Sequence, residues 1–98
     1  MRTRTLTICG HPWRVTWTRS WIVNKLGERV WGETEFTHRR IRIWRLRRRD
    51  VRMLELETRL HEFVHVIEPR MSEVRVARLA RELTMALWQT GREGSWTR

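Results

Sequence analysis

The sequence has little cysteine and no long apolar run. Cys9 is the single cysteine among 98 residues, so no internal disulfide can form, and this favours a reducing compartment. No apolar stretch approaches the roughly 18–20 residues that a membrane span needs. The N-terminal residues also lack the apolar core of a signal peptide. We therefore expect a cytoplasmic protein with no membrane segment.

Internal repeats and interdomain linkers are also lacking. A chain of 98 residues, 40% of them apolar, has room for one domain with one modest core, to which seven tryptophans can contribute strongly. We expect a single domain over residues 1–98, with flexible ends at residues 1–5 and 91–98.

Lysine is almost absent, because Lys25 is the only one. Arginine therefore supplies nearly all of the positive charge behind the net charge of +10. Such a charge attracts polyanions, which can be nucleic acid, an acidic protein surface or an acidic substrate. An arginine-rich codon bias in a GC-rich genome explains the same composition without any partner.

The first half of the chain has the two-residue periodicity of strands. Trp13, Val15 and Trp17 alternate with polar residues, as in a half-buried strand. We expect a turn at residues 10–12, a loop at 20–27 and a bulge at Gly32. The predicted strands are residues 4–8, 13–18, 28–36 and 40–44. They predict one small, mostly antiparallel sheet, with room for a parallel pairing where a connection crosses.

The second half has helical periodicity. Asp50 is the N-cap candidate of a first helix, which must end near Glu68 because Pro69 cannot continue it. Ser72 is the N-cap candidate of a second helix that runs to about Gln89, where Gly91 can close it. The predicted apolar stripes are Leu56, Leu60, Phe63 and Ile67 on the first helix, and Val76, Leu79, Ala80, Leu83 and Leu87 on the second. The fold class is α+β, with a sheet of about four strands followed by two helices.

The first helix carries the pattern His61-Glu62-x-x-His65. Histidines four residues apart lie about one helical turn apart, so both imidazoles can reach one zinc ion. Glu62 beside them can act as the general base for a water. The histidine face lies roughly 140–180° from Leu56 on the helical wheel, which argues against the alternative that these are ordinary core residues.

A zinc site of this kind needs a third protein ligand. Glu73 is the first candidate, because a tight turn at Pro69 brings the start of the second helix beside His65. Glu68 is the second candidate, and Glu82 should face solvent. Glu73 also has an ordinary explanation, since acidic residues are favourable at helix N-termini.

Together these features resemble a known family. A strand meander, a helix with His-Glu-x-x-His and a second helix with a glutamate resemble the small zincin metallopeptidases of the gluzincin type, and most of all the ImmA/IrrE-like proteins and their short phage- and prophage-encoded relatives. The resemblance spans roughly residues 6–88. It implies Zn²⁺ held by His61, His65 and Glu73, with Glu62 as general base and a peptide or protein as substrate. A phage-encoded member would act in the host cytoplasm.

The substrate would lie extended along a sheet edge, supplied by the third or the fourth strand. His38 is a candidate donor to the oxyanion.

An arginine cluster over residues 39–52 favours a second interpretation. Its guanidinium groups can grip phosphates, and Trp44 within it can stack on bases. The alternative function is thus a small basic protein that binds nucleic acid, or a phage protein that binds a host protein. The residues expected to contact nucleic acid are Arg45, Arg47 and Arg48.

Overall fold

Strands form in the first half of the chain and two helices in the second, as the periodicities predict. The computed structural model describes residues 2–45 and 52–93, and the side chains as far as residue 90. In chain order the elements are β1 (Arg2–Ile8), β2 (His11–Thr18), β3 (Ile22–Val23), β4 (Arg29–Val30), β5 (Gly32–Glu35), β6 (Arg40–Trp44), α1 (Arg52–Ile67) and α2 (Glu73–Glu93). Asp50, the expected N-cap of α1, lies outside the described residues.

The main sheet has four strands in the order β1-β2-β6-β5. The pairs β1/β2 and β6/β5 are antiparallel, whereas β2 and β6 are parallel. The parallel pair arises because the chain makes an excursion through β3, β4 and β5 before β6 returns beside β2. The predicted α+β class, with a mostly antiparallel sheet followed by two helices, is confirmed.

The first hairpin turns one residue earlier than expected. Cys9 (φ 52°) and Gly10 (φ 79°) both have left-handed backbones, and Ile8 pairs with His11. Two consecutive positive φ values in a two-residue loop are typical of a type I′ turn, which suits the twist of the flanking strands. His11 and Pro12, expected in the turn, therefore belong to β2. At its other end β1 begins at Arg2, within the expected flexible end.

The predicted strand over residues 28–36 is interrupted at Trp31. Its first part, β4, pairs with β3 inside the segment expected to be a loop, and its second part, β5, pairs with β6. The Asn24 side chain holds the β3–β4 turn, because its Oδ1 accepts hydrogen bonds from the Leu26 and Glu28 amides, each at 2.9 Å. The strand divides because its two parts pair with different neighbours.

One face of the sheet forms the core. Trp13 and Val15 of β2 and Ile41 and Ile43 of β6 are buried there, and Val66 of α1 packs against them. The predicted alternation in both strands is therefore correct.

The predicted stripe of α1 is displaced. Thr58, Glu62, Val64 and Val66 are its buried residues, whereas Ile67 is 53% exposed. The physical reason is that α1 packs on the sheet with one side and on α2 with another, so that its buried arc is wider than a single stripe. The end of α1 at Ile67, two residues before Pro69, agrees with the prediction.

The N-cap of α2 is Ser72, as predicted, whereas the predicted apolar stripe is only partly buried. Ser72 Oγ accepts a hydrogen bond from the Arg75 amide at 3.3 Å, as an N-cap does. Val76 and Ala80 are buried, but three leucines of the stripe, Leu79, Leu83 and Leu87, are 39–43% exposed, because α2 packs mainly on α1. The helix also runs through Gly91 to Glu93, past its expected end.

Gly32 allows α1 to approach β5 closely. A Cβ at this position would lie 2.8 Å from Thr58 Cγ2 and 2.9 Å from Glu62 Oε2. Both distances are shorter than real Cβ contacts, so the side chains or the two elements would have to shift.

We therefore predict that Gly32→Ala destabilises the protein by about 1–3 kcal/mol, the usual cost of overpacking. Urea unfolding followed by circular dichroism measures the change. The double variant Gly32→Ala/Thr58→Ser, which lacks the nearest methyl group, should recover part of the loss. Wild-type stability in Gly32→Ala would contradict the close packing.

Candidate metal and peptide site

His61 and His65 lie side by side on the exposed edge of α1. Their ring centroids are 4.8 Å apart, and each side chain is 23% exposed. The spacing of one helical turn brings the two Nε2 atoms toward the same point, as the sequence predicts.

Glu73 completes the group from the start of α2. Its carboxylate spans the two histidines, with Oε1 2.6 Å from His61 Nε2 and Oε2 3.0 Å from His65 Nε2. The turn between the helices makes this possible, since the Met71 amide donates to the Glu68 carbonyl at 3.0 Å and folds the chain back. The first candidate for the third ligand is thus beside both histidines, whereas Glu68 and Glu82 are not part of the group.

The three side chains have the chemistry of a metal-binding group. His61, His65 and Glu73 each offer one ligand atom, and these atoms lie within 4.8 Å of one another. Two imidazole nitrogens and one carboxylate oxygen form a donor set that zinc takes in catalytic sites. Glu73 is 68% exposed, so the group opens to solvent on one side, where a fourth ligand has access. The residues present fit a zinc ion.

Glu62 lies behind this group and is buried, with 6% exposure. The Thr34 hydroxyl of β5 donates a hydrogen bond of 2.7 Å to Glu62 Oε1. Burial raises the pKa of Glu62 and outweighs the opposing effects of that hydrogen bond and of the two neighbouring histidines. The result is a carboxyl group with a fixed orientation and an increased affinity for a proton.

Thr34 is a residue that the sequence analysis missed. No sequence motif marks it, since it is one of several threonines on strands. Only the register of β5, which pairs Thr34 with buried Ile41, shows that it belongs to the side of the sheet that faces α1.

A groove runs along β5 beside His61, His65 and Glu73. Two adjoining cavities of about 300 Å³ and 360 Å³ share Gly32, His61, Glu62 and Glu73 among their lining residues. β5 is an edge strand of the main sheet, whereas β6 is an inner strand. Of the two predicted strands considered as a docking edge, the one over residues 28–36 therefore has a free edge, along β5.

The other predicted residues lie elsewhere. The His38 side chain is exposed and contacts Glu35, with Nδ1 3.3 Å from Oε1, and it does not line this groove. Arg45 is exposed just after β6. Arg47 and Arg48 lie outside the described residues.

Comparisons with protein-family models, curated proteins and solved structures find no match for this chain. The functional argument therefore depends on the residues and their geometry.

The buried carboxylate predicts a pH-dependent stability change in Glu62→Gln. A carboxyl whose pKa is raised on folding destabilises the protein as pH rises through that pKa, and has no such effect below the ordinary glutamate pKa. In metal-free protein at pH 8 we expect Glu62→Gln to be more stable than wild type, with the gain disappearing toward pH 4. Thermal unfolding across this pH range measures it.

Glu82→Gln on the exposed surface of α2 is the matched control and should change little at either pH. A Glu62→Gln protein that is less stable than wild type at pH 8 would contradict the assignment.

Proposed function

We propose that this protein is a zinc-dependent metallopeptidase of the zincin type, related to the ImmA/IrrE-like proteins. The observation that carries the proposal is the convergence of His61, His65 and Glu73 within 4.8 Å, with buried Glu62 beside them. His61, Glu62 and His65 lie on α1, whereas Glu73 lies on α2. A chance sequence match within one helix does not account for this arrangement.

His61, His65 and Glu73 would hold the ion. When bound there, zinc supplies a Lewis acid that polarises the scissile carbonyl and lowers the pKa of a water. Three protein ligands would leave the solvent side of the group free for a fourth ligand, as in catalytic zinc sites.

Glu62 is the proton carrier. Its raised pKa brings the carboxyl closer to the operating pH, where a group can both accept and release a proton. It would take a proton from the attacking water and pass it to the leaving amine. The hydrogen bond from Thr34 to Oε1 fixes the orientation of the Glu62 carboxyl group, so its second oxygen also keeps a constant position.

The substrate class follows from the groove. An extended peptide can pair its backbone with the free edge of β5 and so pass the histidines. The groove lies open along its length, which suits a polypeptide better than an enclosed small molecule. A peptide or protein is therefore the proposed substrate.

We also propose a cytoplasmic location, within the host if the protein is phage-encoded. The thiol of Cys9 is exposed and free, a state that a reducing compartment preserves. Among the described residues no helix is long and apolar enough to cross a membrane.

The first test is zinc content. Untagged wild-type protein should carry about one zinc per chain, while His61→Ala and His65→Ala should each lose it, because two ligands cannot hold the ion tightly. Glu62→Gln should keep the zinc and lose hydrolysis of a mixed peptide library. Elemental analysis and mass spectrometry give the two results. Retention of stoichiometric zinc by both histidine variants would refute the site.

The second test separates the candidate third ligands. Glu73→Ala should weaken zinc affinity by at least about 100-fold, more than is usual for residues that only support a ligand. Glu82→Ala on the same helix is the matched control and should stay within about twofold. Competition with a chromogenic chelator measures both. Normal affinity in Glu73→Ala together with a loss in Glu68→Ala would make Glu68 the ligand.

A further inference from the structure

The side of the sheet opposite α1, called here the outer face, is basic. Side chains alternate along each strand, so those next to the buried core residues point the other way. The strand register aligns Thr16 with Arg42 and Glu33 in one row, and Arg14 with Arg40 and Glu35 in the next. Four-stranded sheets that present such a face offer a broad platform to an extended ligand.

The outer face is also concave. A cavity of about 560 Å³ lies over it, beside Trp21. Its lining includes four arginines from three segments of the chain: Arg14, Arg19, Arg40 and Arg42. Guanidinium groups that converge on one concavity favour an anionic ligand with several charges.

Two of these arginines keep their charge available. Arg42 pairs with Glu33, and Arg40 lies 3.7 Å from Glu35. Neither Arg14 nor Arg19 has an ion pair among residues 2–45 and 52–90. The concavity therefore has uncompensated positive charge.

Three tryptophans stack at the end of the same face. The Trp44 ring lies between Trp21, with centroids 4.1 Å apart, and Trp31, at 4.9 Å. The Arg29 guanidinium lies over the Trp21 ring, 4.1 Å from its centroid. Trp31 is the other end of the stack, and it is 45% exposed. An exposed indole at the end of an ordered stack is a surface on which another flat ring can continue.

Phosphate-binding charges and a stacking surface on one platform are the two requirements of single-stranded nucleic-acid binding. We propose that the outer face binds single-stranded nucleic acid, with Arg14 and Arg19 contacting phosphates and Trp31 stacking on a base. Duplexes fit less well, because their bases are already stacked and paired. An acidic protein would use the charges but not the tryptophan stack.

This surface shares Arg40, Arg42 and Trp44 with the arginine cluster over residues 39–52, but Arg14, Arg19, Trp21 and Trp31 lie outside that cluster. Its residues come from β2, from the loop after β2, from β6 and from the β4–β5 junction, and they are assembled only by the sheet. Arg14 and Arg19 do not line the cavities beside His61 and Glu62, whereas Trp31 also borders the smaller of those cavities. The phosphate-binding arginines of the outer face are therefore separate from the candidate metal site.

The experiment measures binding of fluorescein-labelled dT15 and rU15 by anisotropy between 50 and 300 mM salt. Arg14→Gln/Arg19→Gln should bind at least about tenfold more weakly at 100 mM salt. Its log–log salt slope should be shallower by about 1.4, or about 0.7 for each phosphate that the variant no longer neutralises. Arg78→Gln/Arg81→Gln, on exposed positions of α2, removes the same charge from the opposite side and should retain wild-type binding. Preference for dT15 or rU15 identifies the natural strand as DNA or RNA, and either result supports the proposal.

Trp31 gives a second, charge-independent readout. Trp31→Leu should weaken binding about tenfold, the usual effect of losing one base-stacking ring, while Trp31→Phe should stay within about threefold. Circular dichroism checks that both variants fold.

Three outcomes would overturn the proposal. One is the absence of binding to both oligonucleotides at 100 mM salt, and another is an equal loss in the α2 control. The third is equally tight binding of heparin with no effect of Trp31→Leu, which would make the surface a general polyanion site.

Discussion

The approach of α1 to the edge strand β5 is the contact on which the candidate site depends. Gly32 leaves no side chain between them, so Thr58 and Glu62 sit directly against the strand. This buries Glu62 and places its carboxyl within reach of the Thr34 hydroxyl. The same contact sets α1 so that His61 and His65 emerge at the groove rather than under the sheet. A side chain at position 32 would separate the elements and loosen all of these relations.

Burial of the Glu62 carboxyl lowers the stability of the protein and raises the pKa of this group. An ionised group out of water is unfavourable, and here one hydroxyl compensates only in part, so the pKa of Glu62 is raised. A residue kept only for stability would more often be apolar at such a position. A buried carboxyl that destabilises the protein, and that lies in a cleft beside groups that fit a metal, is typical of catalytic acids and bases.

The sheet separates two kinds of chemistry. Its inner face carries the core, and α1, packed on that face and on the β5 edge, carries the histidines and the buried carboxyl. Its outer face carries arginines and Trp44. Because side chains alternate along a strand, neighbouring residues such as Ile41 and Arg42 serve opposite faces. Part of the net positive charge of the chain is thus concentrated on the outer face.

The sequence by itself determined the fold class, the alternating strands and the end of α1 before Pro69, because these depend on local periodicity and on the geometry of proline. It also predicted that His61 and His65 share a helix face, which is a property of any helix, and it ranked Glu73 first through the short turn. Tertiary structure decided the rest. The division of the third strand at Trp31, the buried arc of α1, the partner of Glu62 at Thr34 and the assembly of Arg14, Arg19 and Trp31 on one face depend on strand order and register. Those follow from contacts between residues distant in the chain, which local patterns do not encode.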